Sequence, residues 1–106
     1  MSTTIEQLQR IRDEADCLHD AATVNAAYTR LAFQITSACS TLNPLVLCVM
    51  TGGLHATAAI TEKLEFPFEI DYLHATRYRG ATSGGGLVWK VQPKPERIAG
   101  RHLLVI

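Results

Sequence analysis

The sequence predicts an α/β fold built on a mainly parallel sheet with flanking helices. Three observations carry this reading. Leu45–Met50 is apolar throughout, the pattern of a strand buried on both faces. Leu54–Leu64, rich in alanine, follows at once as a helix. Phe68–Ala75 then alternates, with Phe68, Ile70, Tyr72 and His74 on one face and Glu69, Asp71, Leu73 and Ala75 on the other. Strand, helix and strand within about thirty residues make a βαβ unit.

The remaining elements follow in order. Ile5, Leu8, Ile11, Ala15 and Leu18 recur at helical spacing across Thr4–Leu18, where Thr3 with Glu6 or Thr4 with Gln7 offers a capping box. Val24, Tyr28, Leu31 and Ile35 mark a second amphipathic helix over Ala21–Cys39, with Asp20 as its cap. Asn43-Pro44 ends that stretch, because the residue before a proline is pushed out of the helical region. Thr76–Gly86 holds Arg77, Arg79, Gly80, Gly84, Gly85 and Gly86 and reads as a loop. Leu87–Gln92, with Trp89, is strand-like until Pro93-Lys94-Pro95 stops it, and His102–Ile106 is a last apolar strand. A parallel sheet needs cover on both faces, so the chain is expected to be the N-terminal part of a single domain that continues beyond Ile106.

Composition narrows the function classes. Of 106 residues, 47% are hydrophobic, and 10 Lys and Arg balance 10 Asp and Glu. That is globular, not disordered, composition, and without a basic excess nucleic-acid binding is not expected. No apolar run nears the roughly 20 residues that span a bilayer, and the N-terminus lacks a signal-peptide pattern. A soluble cytoplasmic protein is expected. Cys17, Cys39 and Cys48 are odd in number and widely spaced, which supports neither a disulfide framework nor a zinc site. His19, His55, His74 and His102 show no metal-ligand spacing, so no metal site is assigned to them.

The junction Val49-Met50-Thr51-Gly52-Gly53-Leu54 is where the chain speaks to function. A strand delivers the backbone to the carboxyl edge of the sheet, where open α/β folds bind ligands. A helix start behind the turn presents free N–H groups and the positive end of a helix dipole to an anion. A Gly-Gly turn by itself is equally well a tight strand-to-helix connection. Glu69 and Asp71 share a strand face, and a structural role suits them better than acid–base work. Trp89 reads as an apolar contact at the sheet or subunit surface.

Taken together, Met50-Thr51-Gly52-Gly53, Phe66–Tyr78 and Ile98–Ile106 resemble the bacterial hypoxanthine-guanine phosphoribosyltransferases. The resemblance implies a phosphoribosyltransferase-type fold and purine salvage. In that reaction a phosphoribosyl group moves from phosphoribosyl pyrophosphate to N9 of hypoxanthine or guanine, and pyrophosphate leaves with Mg2+ as cofactor. It implies that Thr51, Gly52 and Gly53 bind pyrophosphate, with a cis bond between Met50 and Thr51. Many relatives have lysine at the Thr51 position, so a side-chain charge contact does not carry over. Arg77 and Tyr78 would open the flexible loop that closes over the site; many relatives have Ser-Tyr there, so only Tyr78 matches. The catalytic residues, the ribose-binding acids and the base pocket are expected beyond Ile106. A homodimer or homotetramer is the implied assembly. Two alternatives stay open from sequence: a non-catalytic regulatory or binding module on the same fold, and an interaction domain whose Gly-Gly turn is purely structural.

Overall fold

The computed structural model describes residues 3–77 and 86–106. Helix α1 spans Ile5–Glu14. Of the two capping boxes the sequence offers, the second forms: Gln7 N–H donates to Thr4 Oγ1 at 3.2 Å and Thr4 N–H donates to Gln7 Oε1 at 2.8 Å. The helix stops at Glu14, not at Leu18, because Ala15 turns extended. None of its residues is buried, and a helix this short gains little stability without packing. Helix α2 keeps the predicted bounds, Ala21–Cys39. Thr23 N–H donates to Asp20 Oδ1 at 2.8 Å, and this backbone bond, followed by one from the Thr23 hydroxyl, holds the Asp20 carboxyl below its usual pKa. After α2, Asn43 takes a left-handed conformation, φ 44°, which asparagine tolerates better than most residues.

Strand β1, Leu45–Val49, is the buried centre of a four-stranded sheet. The other strands are β2 (Glu69–Arg77), β3 (Leu87–Val91) and β4 (Leu103–Val105), in the order β3-β2-β1-β4. β1 runs parallel to both β2 and β4, whereas β2 and β3 pair antiparallel, so the sheet is mainly parallel as predicted. Thr76 and Arg77, read from sequence as loop, are strand residues paired with Val88 and Leu87. Helix α3, Leu54–Thr61, is shorter than the expected Leu54–Leu64. A further helix, α4 (Pro95–Ile98), is absent from the sequence reading: four residues are too few to show periodicity, and Pro95 merely looked like a strand stop.

Alternation sorts the side chains of the sheet onto two faces. Phe68 and Ile106 pack with Tyr28, Ala32, Ile35, Ile60, Leu64 and Phe66 of the α2–α3 layer. The opposite face carries Leu47 and Leu73 and takes α4. Arg97 of α4 is bound there by Asp71, Nε to Oδ2 at 2.9 Å. Arg97 also lies 3.7 Å from Glu69, and Arg101 pairs with Glu69 at 3.1 Å. Glu69 and Asp71 thus clamp α4 and the start of β4, the structural role their spacing suggested. Beside α4 the face stays open in a cavity of about 430 Å³, walled in part by Trp89 and Leu73. No helix is long and apolar enough to cross a membrane among the described residues.

Candidate functional site

Parallel strands bring three chain segments to one edge. β1 ends where Met50 N–H donates to Leu73 O at 2.8 Å and Val49 N–H donates to Ile106 O at 2.8 Å. The carboxyl ends of β1 and β4 and the middle of β2, at Leu73, therefore meet around the Thr51-Gly52-Gly53 turn. The Met50–Thr51 peptide bond is cis, as the resemblance implies.

The turn treats its residues differently. Gly53 N–H donates to Val49 O at 2.7 Å, Leu54 N–H to Thr51 O at 3.1 Å, and Thr57 N–H to Gly53 O at 2.9 Å. No hydrogen bond from the N–H of Thr51 or Gly52 is found among the described residues. Both residues are exposed. A Cβ added at Gly52 meets nothing within 4 Å, whereas one at Gly53 would stand 2.5 Å from Ile106 O and 2.9 Å from Val49 O. Neither glycine has a positive φ, so backbone conformation does not demand them. Gly53 is dictated by the fold; Gly52 is not.

Behind the turn, α3 starts with Gly53 as N-cap and no side-chain cap, leaving its dipole end open toward the edge. His55, in the first turn of α3, tilts against Tyr28 of α2 with ring centroids 6.1 Å apart. This contact ties the helix start to the α2 layer. One turn on, Thr57 is buried, with no partner for its Oγ1 among the described residues. Nothing in the sequence signals either feature, since both depend on helices meeting.

The other residues singled out from sequence lie apart from the turn. Arg77 ends β2 four residues past Leu73, about 13 Å farther along an extended strand. Tyr78 lies outside the described residues. Glu69 and Asp71 sit toward the other end of β2, opposite Leu45 and Leu47. Among the described residues no three His, Cys, Asp or Glu side chains converge on a common point. The arrangement can receive an anion through backbone donors.

The fold has solved counterparts. A hypoxanthine-guanine-xanthine phosphoribosyltransferase matches at TM-score 0.75 and 26% identity, over 89% of this chain and 51% of that one. This chain has the phosphoribosyltransferase fold. A hypoxanthine-guanine phosphoribosyltransferase from Bacillus anthracis has the same fold at TM-score 0.76, with 21% identity over 86% of this chain and 54% of its own. In sequence, the chain is 30% identical over 89 residues to the hypoxanthine-guanine-xanthine phosphoribosyltransferase of Tritrichomonas foetus, which covers 84% of this chain and 48% of that protein. It is 26% identical over 88 residues to the hypoxanthine-guanine phosphoribosyltransferase of Streptococcus pneumoniae, 83% of this chain and 48% of the relative. The similarity to phosphoribosyltransferases thus holds across most of this chain, which spans about half the length of the curated relatives it matches. No family model matches the chain.

Proposed function

We propose that this chain is the N-terminal part of a cytoplasmic purine phosphoribosyltransferase acting on hypoxanthine or guanine. The observation that carries the reading is the pair of amides at Thr51 and Gly52 that make no hydrogen bond among the described residues, with open space at Gly52, at the carboxyl edge of a phosphoribosyltransferase fold. In the reaction, N9 of the purine bonds to C1′ of the sugar while the C1′–oxygen bond to the diphosphate breaks. The electron pair and the negative charge leave with pyrophosphate. Fixed N–H donors aimed at that leaving group stabilise the charge as it develops, without having to reorganise. Thr51 and Gly52 supply those donors, and Gly53 supplies the shape that lets the turn close on β4. Arg77, exposed at the end of β2, adds a cation beyond the edge.

Among the described residues no three His, Cys, Asp or Glu side chains come together to hold a metal ion. The acids nearest the sheet centre, Glu69 and Asp71, are bound by Arg97 and Arg101. On this reading the metal belongs with the donor's diphosphate and with the part of the protein outside this chain, as do the group that takes the N9 proton and the base pocket. The partners are phosphoribosyl pyrophosphate and a 6-oxopurine, with neither nucleic acid nor membrane, in a homodimer or homotetramer.

The test is nucleotide formation from hypoxanthine or guanine by the full-length protein, compared with its Gly52→Ala variant. The variant is expected to fold normally and to raise the KM for phosphoribosyl pyrophosphate about tenfold, equivalent to about 1.4 kcal/mol. Binding of the donor without transfer to any purine would instead make the protein a non-catalytic module. An unchanged KM in the variant would remove Gly52 from the site.

A further inference from the structure

Thr57 holds a hydroxyl that the catalytic reading does not use. Three other threonines of α2 and α3 bond back to the carbonyl four residues earlier. Thr29 donates to Asn25 O at 3.1 Å, Thr36 to Ala32 O at 2.7 Å and Thr61 to Thr57 O at 2.7 Å. Thr57 has the same opportunity at Gly53 O, which already accepts its N–H at 2.9 Å. Its hydroxyl makes no such bond: the residue is only 5% exposed, and Oγ1 has no partner among the described residues. Gly53 O is linked to the turn through the backbone. It shares a peptide group with the Leu54 N–H, which donates to Thr51 O at 3.1 Å. The Thr51 carbonyl shares the next peptide group with the Gly52 N–H, which makes no hydrogen bond among the described residues. Two peptide groups therefore connect Gly53 O to the Gly52 donor in series.

We propose that Thr57 is a positioning residue for the anion held at Gly52, and that ligand binding draws its hydroxyl onto Gly53 O. The inference rests on the reading of the Thr51–Gly53 turn as a pyrophosphate site. Hydrogen bonds in series polarise one another. An anion that accepts the Gly52 N–H pushes charge onto Thr51 O, which strengthens the bond from Leu54 and makes Gly53 O the better acceptor. A helical threonine divides between two rotamers because its hydroxyl can reach the carbonyl behind it. Turning onto Gly53 O therefore needs rotation about one side-chain bond and no new backbone path. Two gains follow. A buried hydroxyl without a partner is costly, and the bond made on binding removes that cost, so ligand affinity draws on it. From the other end, the added donor at Gly53 O makes the Gly52 N–H a stronger donor to the leaving pyrophosphate as its charge develops. A hydroxyl with only a packing role would move stability and affinity together; this one moves them in opposite directions.

The experiment is calorimetric titration of the full-length protein with inorganic pyrophosphate at fixed Mg2+, paired with urea unfolding. Thr57→Val is expected to raise the Kd for pyrophosphate about fivefold, the effect of one lost hydrogen bond, while its urea midpoint rises above that of the wild type. Thr57→Ser keeps the hydroxyl and is expected to bind as the wild type does. Wild-type affinity in Thr57→Val overturns the proposal, and so does equal weakening in Thr57→Ser. Weaker binding together with lower stability in Thr57→Val also overturns it, since the hydroxyl would then already have a partner. Gly52→Ala separates the two readings: if it weakens binding and Thr57→Val does not, the turn stands as the pyrophosphate site and only the role of Thr57 falls. A wild-type protein that binds no pyrophosphate overturns both.

Discussion

Gly53 and Ile106 meet backbone to backbone: a Cβ on Gly53 would stand 2.5 Å from the Ile106 carbonyl oxygen. That oxygen already accepts the N–H of Val49, so neither side of the contact is free to retreat. Gly53→Ala is expected to destabilise the protein by about 1–3 kcal/mol, the usual cost of overpacking. Gly52→Ala, with open space around the new methyl, should change stability by no more than about 0.5 kcal/mol. Denaturant unfolding of the two variants separates them, and equal losses would refute the division of roles within the turn.

Thr57 presents the opposite case, a buried hydroxyl with no partner among the described residues. Thr57→Val keeps the shape and removes the hydroxyl. Because a buried unsatisfied group costs about 1–3 kcal/mol, the variant should gain about 1 kcal/mol in urea unfolding. A loss would mean that the hydroxyl is satisfied in solution.

Arg97 holds Asp71 at 2.9 Å and also approaches Glu69. The pair is partly exposed, so its coupling should be modest. A double-mutant cycle of Arg97→Ala and Asp71→Ala is expected to give about 0.5–1 kcal/mol, falling as salt is added. Coupling near zero would mean that the Arg97–Asp71 pair does not help to hold α4.

Asp20 makes the start of α2 sensitive to acid. Hydrogen bonds from Thr23, chiefly its backbone N–H, lower the carboxyl's pKa in the folded state. The stabilisation is complete above the unfolded value of about 3.9 and is lost as pH falls through the lower folded value. Protection of the Thr23 amide, taken against the intrinsic exchange rate at each pH, should therefore fall in that acid range. In Asp20→Asn, whose cap does not titrate, it should not; a parallel fall in both proteins would exclude the carboxylate as the cause.

Features carried by neighbouring residues were legible in the chain. The bounds of α2 and its Asp20 cap, the buried run of β1 and the Thr51–Gly53 turn all rest on interactions within a few positions. Elsewhere local pattern and packing part company. Helical spacing runs on to Leu18, but α1 ends at Glu14, having no core to extend against. Thr76 and Arg77 looked like loop because the strand that pairs with them lies beyond the glycines.

The sequence by itself determined that a strand, a turn and a helix would present backbone donors at a sheet edge. It also showed, through resemblance, which family builds such an edge. Only the tertiary structure decided what each donor is free to do. Ile106 comes from a distant strand to forbid a side chain at Gly53, Arg97 reaches Asp71 from 26 positions away, and the amides of Thr51 and Gly52 have no partner among the described residues. Those outcomes depend on which strands lie side by side, and that is settled by long-range pairing and burial, not by the order of residues within any one element.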